Sequence, residues 1–131
     1  MSPLTHADLR QFTGCLERFR HPLNPRVIYT PGVRFLAEQA GAYWLLDVIA
    51  SYIGSPEMIR AIRADERLAE MQFWRLNVHA EGGAEVLCRA DSGEPVAIRQ
   101  EIAFTDFPLE YADIWAAFDG RRWTLYLPSE H

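Results

Sequence analysis

The sequence predicts an α+β fold in which helices come first along the chain and antiparallel strands follow. Two helix starts headed by proline, Thr30-Pro31 and Ser55-Pro56, lie in the first half of the chain. From Phe73 to Ala80 the apolar residues fall at every second position, which is the period of a half-buried strand. Because no change of composition marks a linker, we expect one domain over residues 1–131, with helices packed on a four- or five-stranded antiparallel meander.

The helices are predicted from their capping residues. Thr5 is a suitable N-cap for a first helix that runs to about residue 12, and Asp8 favours the positive end of its dipole. A long helix over about 31–52 carries apolar residues on more than one side, so we expect it to be buried between layers. Within it, Gly41 predicts the close approach of another backbone. A shorter, charged helix is expected over about 55–70.

The strands are predicted from alternation and from turns. The segment Val27–Tyr29 has the composition of a short strand. Asp119-Gly120 is a strong hairpin signal between the last two strands. The other strands of the meander are expected near 73–80, 84–90 and 96–104. On these strands we expect the tryptophans Trp74, Trp115 and Trp123 to pack in the core.

Composition and charge exclude several classes of protein. The longest apolar stretches are too short to span a membrane, and no signal peptide is recognisable, so we expect a cytoplasmic protein. All 13 basic residues are arginine, which excludes lysine-based Schiff-base and P-loop chemistry. The net charge of -5 divides into +3 over residues 1–34 and -8 over the remainder. This division is either ordinary variation of surface charge or an indication that each end meets a partner of opposite sign.

Motifs for catalysis or metal binding are missing from the sequence. Its four histidines and two cysteines lack the spacing of a metal site, and we expect neither a metal nor a cofactor. Cys15 and His21 could form a nucleophile pair, although a small buried cysteine is the more common case. Asp47 lies among apolar helix positions, where a carboxylate needs either a structural partner or a raised pKa.

Several motifs carry a resemblance that covers nearly the whole chain. The longest are residues 29–47, with the pattern YTxGVxxLAExAGAYWLLD, then QEIxFTDFPL at 100–109 and LPSEH at 127–131. In these segments the chain resembles a family of bacterial proteins recorded as a domain of unknown function and met on plasmids and in prophages. The resemblance implies a protein of mobile elements and assigns no catalytic residue.

Our first hypothesis is a non-enzymatic interaction protein that inhibits a bacterial defence system, as an anti-CRISPR protein does. Its acidic body would occupy the arginine-rich channel of a nucleic-acid-binding host complex. The acidic residues expected to make this contact are Glu101, Asp106, Glu110 and Asp113. The sequence does not indicate an oligomeric state.

Two other hypotheses remain open from the sequence. One is a small enzyme or small-molecule binder that uses the loop at 20–24, above all Arg20 and His21, together with Asp47 or Asp106. The other is nucleic-acid binding through the basic N-terminal segment, which requires its arginines to form one face. These arginines are Arg10, Arg18, Arg20, Arg26 and Arg34.

Overall fold

In the computed structural model, which describes residues 4–14 and 16–131, the strands form one sheet of mixed direction. The seven strands among these residues are β1 Phe19–Arg20, β2 Val27–Tyr29, β3 Met71–Val78, β4 Ala84–Arg89, β5 Val96–Ile102, β6 Tyr111–Phe118 and β7 Trp123–Tyr126. Their order across the sheet is β1-β2-β7-β6-β3-β4-β5. The predicted α+β class is confirmed, and so is the short strand at Val27–Tyr29.

The predicted meander of four or five strands is wrong in both number and order. The strands β3, β4 and β5 form a meander and β6 and β7 form the predicted hairpin, but these two parts are not joined in the order of the chain. β6 returns to pair with β3, and β2 lies parallel to β7. The strand β1 has only two residues and was not predicted, because its strand conformation depends on pairing with β2 rather than on a local pattern.

Four α-helices precede β3 in the described part of the chain. They are α1 His6–Arg10, α2 Pro31–Ala40, α3 Tyr43–Tyr52 and α4 Pro56–Ala64. Two short 3-10 helices follow at Glu66–Ala69 and Pro128–Glu130. The predicted start of α1 is confirmed: Asp8 N donates to Thr5 Oγ1 at 3.2 Å, and Thr5 N donates to Asp8 Oδ2 at 2.9 Å.

The single long helix predicted over 31–52 is wrong, because the chain turns at Gly41. This residue has φ 60°, and its N–H bonds to carbonyls of the preceding turn, as in a left-handed helix C-terminus. The predicted close approach at Gly41 is also wrong, since a Cβ there would meet no heavy atom within 4 Å. The helix predicted over 55–70 likewise stops at Ala64, before the 3-10 helix.

The core lies between α2, α3 and α4 and the inward side of the central strands. Trp74 and Ile114 of the sheet are 1% exposed, and they belong to one buried cluster with side chains of all three helices. The ring of Tyr52 in α3 lies 5.8 Å from that of Trp74. Each large apolar side chain buried in this way contributes roughly 1.5–3 kcal/mol.

The other side of the central strands, which we call the open face, carries polar and aromatic residues. It consists of the alternate side chains Phe73, Arg75, Glu85, Leu87, Arg89, Arg99, Glu101, Tyr111, Asp113, Trp115 and Tyr126. Across it, Phe73 is opposite Trp115 and Arg75 is opposite Asp113. No helix within the described residues is long and apolar enough to cross a membrane.

Candidate functional site

Two loops at one end of the sheet are joined by backbone hydrogen bonds. One is the turn at 79–83 between β3 and β4, and the other is the segment 103–110 between β5 and β6. Thr105 N donates to the Gly82 carbonyl at 2.8 Å, and Val78 N donates to the Glu110 carbonyl at 2.9 Å. Phe107 anchors the second loop, since its side chain is only 6% exposed.

Phe104 stands out of the second of these loops with 74% of its side-chain surface exposed. The sequence predicted that it would be the last residue of a strand near 96–104, but β5 ends at Ile102. Its ring lies over the turn, because a Cβ on Gly82 would be 3.4 Å from it. Gly82 has φ 102°, a conformation that favours glycine.

Three unpaired acidic side chains lie on the same two loops as Phe104. Glu81, Asp106 and Glu110 are exposed, and none of them has a side-chain hydrogen bond or ion pair within the described residues. No arginine occurs at positions 76–88 or 100–120, whereas seven acidic residues do. We call the group Glu81, Phe104, Asp106 and Glu110 the acidic tip.

The structure places only two of the four predicted acidic contact residues on this tip, Asp106 and Glu110. Glu101 lies on β5, directly across the sheet from Glu85. Asp113 lies on the open face, where its two oxygens accept from Arg75 Nε and Nη2 at 2.8 and 2.9 Å. The charge of Asp113 is therefore balanced by an arginine of the same chain.

His21 and Asp47 meet beside a cavity of about 300 Å³, as the enzyme hypothesis required. His21 is 3% exposed, and its Nδ1 accepts the backbone N–H groups of Leu23 and Asn24, each at 3.1 Å. The proton must therefore be on Nε2, which donates to Asp47 Oδ1 at 2.8 Å. The carboxylate thus has the structural partner that the sequence required.

This arrangement holds the loop at 20–24 and leaves His21 without a free nitrogen for general base catalysis, whereas the carboxylate of Asp47 is exposed. Both ring nitrogens of His21 are occupied, so neither can take a proton from a substrate while the loop stays intact. The nearby hydroxyls are also engaged: Ser51 Oγ donates to Val48 O, and Ser55 Oγ accepts from Met58 N. Arg20 is exposed on β1 and does not line the cavity.

Of the two cysteines, only Cys88 lies within the described residues. Cys15 is outside the described residues, so its proposed pairing with His21 remains a prediction. Cys88 is buried on the core side of β4, and burial raises the pKa of its thiol to about 12. It therefore stays protonated and unreactive at neutral pH.

The arginines of the N-terminal segment are distributed over several elements. Arg10 lies on α1, Arg20 on β1 and Arg34 on α2. Arg34 is already engaged, since its Nε donates to Glu38 at 2.8 Å and its guanidinium lies 4.5 Å from the Phe19 ring centre. Within the described chain, no group of three or more His, Cys, Asp and Glu residues is placed to hold a metal ion.

Sequence reasoning missed the role of Glu130. This residue of the motif at 127–131 forms hydrogen bonds with the motif at 29–47. Its Oε1 accepts from Thr30 Oγ1 at 2.6 Å and from Leu127 N at 2.9 Å, and its Oε2 accepts from Gly32 N at 3.3 Å. A Cβ on Gly32 would lie 2.6 Å from this carboxylate. A side chain at position 32 would therefore displace the Glu130 carboxylate from these hydrogen bonds. The signal in the sequence was a glycine in the motif at 29–47 and a glutamate in the motif at 127–131, neither of which the predicted elements explained.

The aromatic part of the open face was also missed. Trp74 and Trp123 are buried as predicted, but Trp115 is partly exposed on the open face, with ring centres 5.0 Å from Phe73 and 5.4 Å from His131. A cavity of about 540 Å³ lies beside Trp115 and Phe73. The alternation Ile114-Trp115 could have indicated this, because neighbouring strand residues point to opposite faces.

These features define a small α+β protein with a seven-stranded mixed sheet in its described part and an exposed acidic tip. The chain matches the family model DUF6876, a family of unknown function, over residues 3–131, and it belongs to that family. The family inferred from the motifs is confirmed at this level. Comparisons with curated proteins and with solved structures gave no match.

Proposed function

We propose that this is a non-enzymatic interaction protein whose acidic tip binds a basic surface of a protein partner. The observation on which the proposal rests is the exposure of Phe104, which is 74% exposed. Its loop is bonded to the neighbouring turn, and three unpaired acidic residues lie on these two loops. Aromatic side chains are enriched at the buried centres of protein–protein interfaces.

The tip has the parts that a binding surface needs. Phe104 would serve as the buried anchor, and covering its side chain contributes roughly 1.5–3 kcal/mol. Glu81, Asp106 and Glu110 would surround it, attract a basic partner and reject an acidic one. Because backbone hydrogen bonds already fix both loops, little conformational entropy is lost when the partner binds.

The partner we propose is a nucleic-acid-binding complex of a bacterial defence system, with the protein acting as a cytoplasmic inhibitor carried by a mobile element. Such complexes hold nucleic acid in positively charged channels. An acidic tip with an apolar anchor is complementary to an arginine-lined channel entrance. The motif resemblance supports the mobile-element origin.

A capture experiment with matched variants tests this proposal. The tagged protein is used to capture partners from bacterial host lysate, and the captured subunits are quantified by mass spectrometry at low and raised salt. We expect the double variant Asp106→Arg/Glu110→Arg and the variant Phe104→Ala each to reduce capture at least tenfold. The wild-type complex should also weaken as salt rises.

The matched control is Glu66→Arg/Glu70→Arg, which makes the same change of charge at exposed residues around the first 3-10 helix. It should capture the partner as the wild type does, and circular dichroism should show that all variants are folded. Equal capture by the tip and control variants would refute the role of the tip.

A further inference from the structure

We propose that two copies of this chain associate through their β5 strands, which pair antiparallel about a two-fold axis at Gln100. This inference concerns a different surface from the acidic tip and does not depend on the function proposed for it.

The edge of β5 is open to a second strand. β5 runs over Val96–Ile102 at one end of the sheet order and, among the described strands, pairs only with β4, in regular register over 98–102 and with a β-bulge before it. Every second residue of an edge strand directs its N–H and C=O away from the sheet. In the described chain, no other backbone group bonds to these residues. Its regular part, residues 98–102, is long enough to serve as a template, whereas the opposite edge, β1, has two residues.

Symmetry and side-chain direction restrict the register. Directly opposed residues in an antiparallel pair point to the same face, so the two-fold axis must pass through a residue. An axis at Arg99 or at Glu101 would oppose like charges. An axis at Gln100 instead opposes Arg99 to the second copy's Glu101, and the reverse, in two identical pairs.

The charges already present on β5 favour this register. Glu101 faces Glu85 across the sheet, and Arg99 Nη1 bonds to Glu85 at 2.9 and 3.0 Å. Glu101 therefore has a like charge beside it and no ion-pair partner of its own within the described chain. Arg99 of the second copy would supply that partner and offset the repulsion between the two glutamates.

The apolar side of β5 is also self-complementary in this register. Ile98 of one copy is opposed to Ile102 of the other, on the side of the sheet that faces the core. Ile98 lines a cavity of about 460 Å³ between β5 and α4, together with Tyr52 and Ala61. The second strand would close the outer side of this cavity with an apolar side chain.

Sedimentation equilibrium over a range of protein concentration tests the association. We expect the wild type to dimerise and Glu101→Arg to weaken the dimer at least tenfold, because it opposes arginine to Arg99 of the second copy. The same substitution gives Glu85 an opposite charge within the chain, so it should not impair folding. The double variant Arg99→Glu/Glu101→Arg should restore the dimer, and Glu66→Arg should leave it unchanged.

Disulfide formation tests the register itself. In a Cys15→Ser background, Gln100→Cys brings two Cα atoms to about 5 Å across the axis and should give a covalent dimer on mild oxidation. In the same background, Ala97→Cys should not, because its two copies would be about 20 Å apart along the strands. A wild type that stays monomeric, or equal cross-linking by both variants, would overturn the proposal. Asp106→Arg/Glu110→Arg should leave the dimer intact, so the two proposals can fail separately.

Discussion

At the scale of the residue, Glu130 shows how one carboxylate can hold distant parts of a chain. It accepts hydrogen bonds from Thr30 and Gly32 at the start of α2, about a hundred residues earlier in the chain, and from the nearby Leu127. Thr30 also caps α2 through Val33 N at 3.3 Å, so the carboxylate orients the capping residue as well. The beginning of the helix thus depends on a side chain that follows the last strand.

We predict that Glu130→Ala lowers the free energy of unfolding by about 2–3 kcal/mol, since three hydrogen bonds to a charged group are lost. Urea denaturation followed by circular dichroism measures this change. Glu110→Ala removes an exposed, unpaired carboxylate and should change the same quantity by less than about 0.5 kcal/mol. Similar values for both variants would contradict the role of Glu130.

The buried thiol of Cys88 leads to a pH prediction. Its pKa is raised to about 12 in the folded chain, against about 8.5 in an unfolded one, so folding favours the protonated form. The resulting stability is complete below about pH 8.5 and is lost as pH rises toward 12. Between pH 8 and pH 10 we expect Cys88→Ala to lose less stability than the wild type, by about 2 kcal/mol. Urea denaturation at the two pH values tests this, and identical pH dependence would exclude the effect.

At the scale of the element, the end of α2 depends on the backbone freedom of Gly41. The residue has φ 60° and no heavy atom near its missing Cβ, so any cost of a side chain there is conformational. We predict that Gly41→Ala lowers the free energy of unfolding by about 1–2 kcal/mol, and Gly41→Asn by less. Thermal denaturation measures both. The exposed Gln39→Ala should have almost no effect, and an equally small effect of Gly41→Ala would contradict the left-handed helix end.

The elements that could be predicted from the sequence are those whose signals are local. Thr5 and Asp8 lie three residues apart, and Asp119-Gly120 lies inside its own hairpin, so short patterns were sufficient for both. The break at Gly41 was missed because helical residues continue on both sides of it. The strand β1 was not predicted, and the place of β2 beside β7 depends on pairing across the sheet, which alternation within a few residues cannot show.

At the scale of the whole molecule, the acidic tip could be predicted only in part. Acidic residues such as Asp106 and Glu110 were visible in the sequence, but their grouping around Phe104 depends on where β5 ends and how two loops are bonded. The sequence alone could not show that Asp113, unlike these residues, is paired with an arginine, because that follows from the strand register that places it opposite Arg75. If the two proposals hold together, a β5 dimer carries two tips, and a partner with two matching surfaces would be bound more tightly.

The parallel pairing of β2 with β7 also affects how the chain folds as it is made. Val27 is opposite Trp123, so β2 can pair with β7 only after about 96 further residues have been synthesised. At typical rates of synthesis this takes roughly 5 to 20 s. During that time the nascent chain has only the antiparallel β1 as a described partner for β2. Completion of the sheet is thus a late event of translation, and a ribosome that stalls before residue 123 leaves one edge of β2 without its strand partner.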